Sequence, residues 1–227
     1  MIARRTAMAA LVAATLFGGK AKAQKKGGPP MTTSDKNGFD VPIRLAKPRI
    51  PPVAYESASP AQRAAIDGFG LPQPPLNIFA TFAQAPEALE AFRPWGSYIM
   101  SPQNSLPPRE REIVILRVGV LCRSGYEFAQ HWMIGRQTGL TTAEIERIRD
   151  GAARDWPSAE AALVAACDDI VRDHFVSDAT WAALLAHFTQ RQAMDVVFTA
   201  AEYVQVSIML NSFVLQLEPG LERAAAG

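Results

Sequence analysis

The stretch LPPREREIVILRVGVLCRSGYEFAQHWMIGRQTGLTTAEI, residues 106–145, decides the fold class. Prolines open it, charged residues follow, and a long apolar run comes next. The length of this run and its proline start favour a buried helix, although its valines and isoleucines leave a strand open. A second helix is predicted from Ser124 to Gly139, and Thr141 with Glu144 has the spacing of a capping box that starts a third. The stretch therefore predicts consecutive helices.

The rest of the chain carries the same helical punctuation. In SPAQ, Ser59 stands at a cap position, proline at the first helical position, and Gln62 three residues after the cap. Pro94 predicts an interruption within PEALEAFRPWGSYIM. No Asn-Gly hairpin signal separates alternating segments. We predict an all-α fold, a compact multi-helix bundle of about eight helices with an extended Pro-rich N-terminal arm.

The N-terminus has the pattern of an export signal. Arg4 and Arg5 precede a short apolar run, and Ala21-Lys22-Ala23 supplies a small-x-small cleavage site. The run is shorter than the roughly 20 apolar residues that span a bilayer. A short membrane anchor is the alternative interpretation, and the paired arginines also fit the twin-arginine route. We expect a periplasmic or secreted protein with no stable membrane insertion after cleavage.

Composition divides the chain into four predicted segments. They are the signal peptide at 1–23, a Pro/Gly-rich arm or linker at 24–58, a helical domain at 59–218 and a flexible tail at 219–227. The net charge of +1 gives no sign of the strongly basic surface that binds nucleic acid, and we do not expect nucleic acid as a partner. A small-molecule substrate is the expected partner.

The two cysteines, Cys122 and Cys167, show neither C-x-x-C nor metal-ligand spacing. An exported protein meets oxidising conditions, so a single disulfide is open. Both residues stand in apolar helical surroundings, where a free cysteine behaves as a small buried hydrophobe. We favour two buried thiols.

Glu127 and His131 are the strongest candidates for chemistry. They stand four residues apart and so share one face of a helix. A carboxylate beside an imidazole fixes its tautomer and raises its basicity, which suits general acid/base catalysis. Ser124 and Glu127 also have the spacing of a capping box, and a lone histidine near an apolar face is more often structural. Both interpretations stay open, because an active-site carboxylate can stand at a helix start.

Neither a metal nor a cofactor is predicted. Glu127 and His131 supply only two ligands, His174 is expected to face solvent, and His187 is expected at a helix end. In the last helix, a polar stripe recurs every four residues and must find partners if it is buried. It is predicted to line a cavity or an intersubunit contact, and its members are Tyr203, Ser207 and Asn211.

Together with NIFATFAQAPEALEAF, VSDATWAALLAHF and VFTAAEYVQVSIMLNSF, the opening stretch resembles the carboxymuconolactone decarboxylase family, which includes the alkylhydroperoxidase D-like proteins. The resemblance covers about residues 50–218. It implies an all-helical fold that assembles into a homo-oligomer, a trimer or a hexamer, with sites near subunit interfaces.

The resemblance also implies roles for particular residues. In the alkylhydroperoxidase D branch the motif resembles E-x(11)-C-x-x-C-x-x-x-H. With His131 as the anchor, Glu112 matches the glutamate, whereas Ser124 and Glu127 stand at the two cysteine positions. A dithiol peroxidase needs both thiols close together. The decarboxylase branch instead has a glutamate four residues before the histidine, as Glu127 is, and an arginine at the position of Arg111.

We therefore expect an exported, metal-free lyase or isomerase that acts on a small carboxylated lactone or ring-derived acid. The predicted catalytic residues are His131, Glu127 and Glu112, and the predicted substrate-binding residues are Arg111, Tyr203 and Asn211. Adjacent helical residues point about 100° apart, so Arg111 and Glu112 are not expected to face the site together. One alternative is a peroxidase in which Cys122 acts with an external thiol. The other is a non-catalytic helical binding protein.

Overall fold

A computed structural model describes residues 45–151, 156–219 and 221 of the chain. Within these residues the regular structure is nine α-helices and one short 3₁₀ helix, which confirms the predicted all-α fold. The predicted signal peptide and most of the arm and tail lie outside the described residues, so the predicted segment boundaries stay predictions. The described chain divides into two compact units, residues 50–101 and residues 45–49 with 102 onward.

The first unit holds the 3₁₀ helix Tyr55–Ser57 and the helices α1 (Pro60–Asp67), α2 (Asn77–Phe82) and α3 (Pro86–Met100). The predicted capping box at the start of α1 is present in both directions, between Ser59 and Gln62. The predicted interruption at Pro94 is wrong, because α3 runs through it without a break. Leu89 and Ile99 are buried on either side of this proline. The helix thus continues past Pro94 although proline removes one backbone hydrogen bond.

The second unit contains six helices, and the candidate residues belong to it. They are α4 (Pro108–Leu121), α5 (Gly125–Gln137), α6 (Thr142–Asp150), α7 (Ser158–Asp173), α8 (Asp178–Leu185) and α9 (Gln190–Phe213). Every residue of α4 from Arg111 to Val120 is buried. A helix that is apolar on all sides belongs in a core, and α4 contacts α5, α6, α7 and α9. This excludes the strand that its valines and isoleucines left open.

A tight connection brings α5 back along α4. Arg123 adopts a left-handed conformation with φ of 52°, and the N–H of Ser124 donates to the carbonyl of Gly119 over 2.8 Å. Further on, the predicted Thr141–Glu144 capping box starts α6, and Gly151 ends it with φ of 70°. These local signals fix where the helices start and end, and therefore which side chains of α4 and α5 meet.

Helix α9 buries polar side chains among its apolar ones. Its buried side carries polar groups, among them Asp195, Glu202 and Tyr203, while Met194 and Ile208 on its outer side are exposed. By length and composition α9 could cross a membrane, yet 56% of its most apolar window is buried inside the protein. Asp195 accepts hydrogen bonds from the N–H and hydroxyl of Ser105 over 2.7 and 2.6 Å.

The start of the described chain is fastened to the C-terminal end of α9. The N–H of Arg49 donates to the carbonyl of Phe213 over 2.9 Å, and its guanidinium donates to that of Ser212 over 3.2 Å. The Gln216 amide donates to the carbonyl of Leu45 over 3.1 Å. Residues 45–49 thus satisfy carbonyls that a helix end leaves without intrahelical partners.

Candidate active site

His131 lies at the centre of a cluster built by α4, α5 and α9. Its side chain is buried, with a residue exposure of 6%. The ring atom Nδ1 is 2.7 Å from Oε2 of Glu112 on α4, and Nε2 is 3.0 Å from Oε1 of Glu127 one turn earlier on α5. The three residues predicted to be catalytic are therefore in direct contact. A ring held at both nitrogens has a fixed orientation.

Two carboxylates keep the imidazole charged. Burial by itself would lower the pKa of His131, but the charges and hydrogen bonds of Glu112 and Glu127 outweigh it and raise the pKa to about 10. At neutral pH the ring is an imidazolium that donates one N–H to each glutamate. Charge-assisted hydrogen bonds of this kind are stronger than neutral ones. The ring is therefore in its acid form at neutral pH, and its raised pKa means that it holds this proton more tightly than a free imidazole does.

Tyr203 brings a hydroxyl from α9 to the same ring. Its oxygen is 3.1 Å from Nε2 of His131, and the two rings meet edge-on with centroids 5.0 Å apart. Burial is the largest cause that raises the pKa of Tyr203, and the negative charges of Glu127 and Glu112 act in the same direction. The phenol therefore keeps its proton at neutral pH. The prediction that the polar stripe of α9 is buried is correct at this position.

Glu127 serves His131 and not a helix cap. Ser124 does occupy the cap position of α5, but its side chain makes no capping hydrogen bond, so the capping box is wrong as a structural interpretation. Glu127 is only 4% exposed. A buried carboxylate gains more from a nearby imidazolium than from a neutral backbone N–H, and this decides between the two partners.

Glu112 has one oxygen engaged and one available. Its residue is fully buried. While Oε2 contacts His131, the other oxygen, Oε1, has no hydrogen-bond partner among the described residues. Buried polar atoms are nearly always paired in native proteins, so such an atom next to an imidazolium calls for a functional explanation.

Arg111 acts on the cluster through its charge. It is buried beside Glu112 in sequence, and its positive charge opposes the causes that raise the pKa of Tyr203. Glu112 thus touches the imidazole directly, while Arg111 lies within electrostatic range of the tyrosine. The expectation that Arg111 and Glu112 do not face the site together stays a prediction.

Asn211 does not join the cluster. Its side-chain amide donates to the backbone carbonyl of Cys122 over 2.9 Å and so ties α9 to the end of α4. The contact that the structure shows is a structural one, and it gives no support to the predicted substrate-binding role. Asn211 follows Tyr203 by two turns, which places it beyond the imidazole.

Both cysteines are free thiols, and neither is activated. Cys167 is buried as predicted, whereas Cys122 is only partly buried. Burial raises the pKa of both thiols, and for Cys122 the hydrogen bond with Ser207 opposes this rise. A nucleophilic thiol needs a lowered pKa, because the thiolate is the reactive form.

Two further groups near the cluster were not singled out as site residues. Glu202 is buried next to Tyr203, and its charge also raises the pKa of that residue. Glu218 is buried after α9 and accepts 2.6 Å hydrogen bonds from the hydroxyl of Tyr126 and the amide of Gln130. These two donors precede Glu127 and His131 by one residue each, so the contact fixes the rotation of α5. The spacing of Tyr126 and Gln130 is visible in the sequence, but the remote Glu218 is not.

The described residues contain no group of three or more His, Cys, Asp or Glu arranged to hold a metal ion. His174 and His187 are both exposed, and they lie after the last residues of α7 and α8. The side chains of the described site carry imidazole, carboxylate, phenol and guanidinium groups.

Comparison with known proteins gives a family match and a shared fold. Residues 86–168 match the model of the carboxymuconolactone decarboxylase family, which confirms the predicted resemblance. The matched range contains Arg111, Glu112, Glu127 and His131, and it ends before α9. No curated protein sequence matches significantly.

Solved structures share the fold. One is the alkylhydroperoxidase AhpD core of an uncharacterised peroxidase-related protein from Ralstonia eutropha JMP134, with 20% identity, coverage of 79% of this chain and 97% of that chain, and a TM-score of 0.67. The debrominase Bmp8 in complex with 2,3,4-tribromopyrrole has 14% identity, coverage of 79% and 96%, and a TM-score of 0.65. A putative antioxidant defence protein AhpD from Agrobacterium tumefaciens has 18% identity, coverage of 60% and 94%, and a TM-score of 0.56. At such identities the similarity establishes the fold alone.

Proposed function

We propose that this chain, whose residues 86–168 match the model of the carboxymuconolactone decarboxylase family, is a metal-free acid/base enzyme of the lyase or isomerase type. Its substrate would be a small carboxylated lactone or a related ring-derived acid. The observation that carries the proposal is the imidazolium of His131 between the carboxylates of Glu112 and Glu127. At neutral pH such a group carries the proton that a general acid donates.

In the decarboxylase form of the proposal, the bond between the ring carbon and the substrate carboxylate breaks. Its electron pair moves into the unsaturated lactone and forms an extended enolate, while carbon dioxide leaves. The Nε2–H of His131 then gives its proton to carbon, and the neutral imidazole regains a proton from water. In the isomerase form, Glu127 first removes a proton from carbon and His131 returns one at another carbon. Both forms balance without a redox partner.

Charge indicates how an anionic substrate would be held. Glu112, Glu127 and His131 together carry one net negative charge, which by itself repels a carboxylate. Arg111 is the buried cation whose field reaches Tyr203, and we assign it to the substrate carboxylate. Tyr203 keeps its proton and would stabilise the oxygen on which enolate charge develops.

The cellular setting is part of the proposal. The signal pattern at residues 1–23 supports export to the periplasm or beyond. Assembly into a homo-oligomer is part of the proposal, and the family resemblance supports it.

A turnover screen with matched variants tests the proposal. Carboxylated lactones and related unsaturated acids would be offered to the chain from Gln24 onward, and absorbance and carbon dioxide release would be followed. We expect His131→Gln to lower kcat at least about a hundredfold, which is the lower range for a general acid. The control is His187→Gln, which changes an exposed imidazole. Equal turnover in wild type and His131→Gln would overturn the proposal.

A thiol-dependent peroxidase is the second candidate, and the peroxidase-related names of the structural neighbours favour it. It would need Cys122 and an external thiol, because Ser124 and Glu127 stand at the cysteine positions of the motif. The raised pKa of Cys122 speaks against it. Rapid alkylation of Cys122 in the folded protein at neutral pH, with peroxide turnover, would replace the lyase proposal by this one.

A non-catalytic binding protein is the third candidate. It predicts that His131→Gln changes only the melting temperature and that no tested acid is turned over. Melting curves of both histidine variants, recorded beside the turnover screen, separate this outcome from catalysis.

A further inference from the structure

The outer face of α9 is an apolar surface that the described chain leaves uncovered. It consists of Met194, Val197, Ala201, Val204, Gln205 and Ile208, each of which is exposed or half-exposed. With 3.6 residues per turn, these six positions fall within roughly a third of the helix circumference. Only Gln205 is polar. Met194 is 43% exposed and Ile208 is 58% exposed, and both side chains are large and apolar.

The described residues begin at the C-terminal end of α9. Arg49 and Leu45 are hydrogen-bonded to residues at and just beyond the end of α9, at Ser212, Phe213 and Gln216. A segment tethered in this way has a high effective concentration at the helix, in the millimolar range for a short linker. A separate molecule has no such advantage.

The sequence of that segment has the pattern needed to cover an apolar row. In GFDVPIRL, the apolar residues Phe39, Val41, Ile43 and Leu45 alternate with polar residues and one proline. In an extended chain alternate side chains point to the same side. Leu45, the last of the row, is exposed.

The lengths also agree. The outer face from Met194 to Ile208 is roughly 21 Å long at 1.5 Å per residue. Residues 33–44, called the arm segment below, can reach roughly 40 Å when extended. The arm segment is therefore long enough to turn back at the end of α9 and cover the whole outer face.

We propose that the arm segment docks in cis along the outer face of α9, with Phe39, Val41 and Ile43 against the apolar row. The occupant is this chain's own N-terminal segment, and a membrane surface or a second copy is the competing occupant. Docking would cover the exposed apolar row of a helix that could cross a membrane by its length and composition. The inference is independent of the catalytic proposal, because the outer face lies opposite the side of α9 that carries Tyr203.

A cysteine-protection experiment tests the docking. Ala201→Cys places a thiol at the middle of the outer face, and its rate of labelling by a bulky maleimide would be measured in the chain from Gln24 onward. We expect the rate to rise at least about tenfold when Phe39→Asp, Val41→Asp and Ile43→Asp are introduced together, since labelling then needs no local opening. The chain without Ala201→Cys is labelled in the same way, so that the labelling rate of the native Cys122 is known.

Matched controls keep the result specific. Asp40→Asn with Arg44→Gln changes the alternate positions of the arm segment and should leave the rate unchanged. Glu146→Cys, at an exposed position on α6, should label at one rate in every arm background. Melting curves of the triple aspartate variant show that it is folded.

Each other outcome overturns the proposal. Equal labelling of Ala201→Cys in wild-type and triple aspartate arms means that the arm segment does not cover the face. Protection that survives the aspartate substitutions but is lost on dilution means that a second copy covers it. Protection that develops only with added phospholipid vesicles means that the face meets a membrane.

Discussion

The two sides of α9 differ in which residues they bury: the inner side belongs to the candidate site, and the outer side is an exposed surface. The inner side buries Asp195, Thr199, Glu202 and Tyr203, whereas the outer side exposes Met194 and Ile208 among apolar neighbours. An ordinary surface helix has the reverse pattern. Polar groups survive burial only with partners, so the inner side marks where the protein has built contacts. The outer side is not covered by any described part of the chain.

The inner side is held by partners from distant parts of the chain. Ser105 donates to Asp195, the amide of Asn104 donates to the hydroxyl of Thr199 over 3.3 Å, and Tyr203 meets His131. The outer side has apolar packing as its only available interaction, and this is non-directional. Disruption of the inner side should therefore have large and specific effects, and disruption of the outer side should have small ones.

Glu112→Ala is expected to give the largest effect. Removal of one carboxylate leaves the buried imidazole of His131 with a single counter-charge, and loss of a partner from a buried ion pair costs about 3–5 kcal/mol. Urea unfolding followed by circular dichroism would measure the free energy of unfolding. Glu146→Ala, at an exposed position on α6, is the control and should change it by less than about 0.5 kcal/mol. Similar effects of the two substitutions would contradict the central position of Glu112.

The pH dependence of stability comes next in size. The pKa of His131 is raised from 6.5 to about 10 on folding, so the folded state binds its proton more tightly than the unfolded state. The resulting stabilisation is complete below about pH 6.5 and is lost as the pH rises through 10. We expect a fall on the order of a few kcal/mol between these values. Unfolding of wild type and His131→Gln across this range would isolate the contribution of the imidazole.

Nuclear magnetic resonance gives a direct reading where His131→Gln is too unstable to compare. The chain has three histidines, so the ring of His131 can be distinguished from the exposed rings of His174 and His187. The imidazolium form of His131 should persist well above neutral pH. A neutral ring at pH 7.5 would refute the assignment of His131 as the proton donor.

Tyr203→Phe should have a moderate effect. It removes one hydroxyl next to Nε2 of His131 but keeps the edge-on ring contact. A typical hydrogen bond contributes about 0.5–1.5 kcal/mol to the free energy of unfolding, and we expect a loss in this range. The ¹⁵N shift of Nε2 should change while that of Nδ1 stays nearly constant. An unchanged Nε2 shift would place the tyrosine hydroxyl outside the site.

Much of the fold was predictable because its signals are local. Caps at Ser59 and Thr141 and the long apolar run of α4 were correct, since each depends on residues a few positions apart. Pro94 was misjudged because α3 continues through it, with Leu89 and Ile99 buried on either side. Local rules describe where helices begin and end better than what they tolerate in the middle.

The site divides in the same way. Glu127 and His131 form a local pair, yet the same spacing also allowed the cap at Ser124 that the structure excludes. The contact between Glu112 and His131 joins residues 19 positions apart, and it was predictable only through the resemblance to a family motif. Asn211 and Glu218 depend on how α9 and the following segment meet α4 and α5. The spacing of residues within one helix does not predict contacts between different helices.

The smallest expected effect tests the outer side of α9 by a double-mutant cycle. Ile208→Asn would be combined with the substitutions Phe39→Asp, Val41→Asp and Ile43→Asp in the arm segment. If the arm segment covers Ile208, the two changes share a contact, and we expect a coupling energy of about 0.5–1.5 kcal/mol in urea unfolding. The control cycle uses Glu146→Asn on α6, which should add independently. If the changes in the free energy of unfolding add in both cycles, the arm segment does not cover α9, and only another molecule can cover its apolar surface. Coupling at Ile208 alone would mean that α9 is covered on both of its sides.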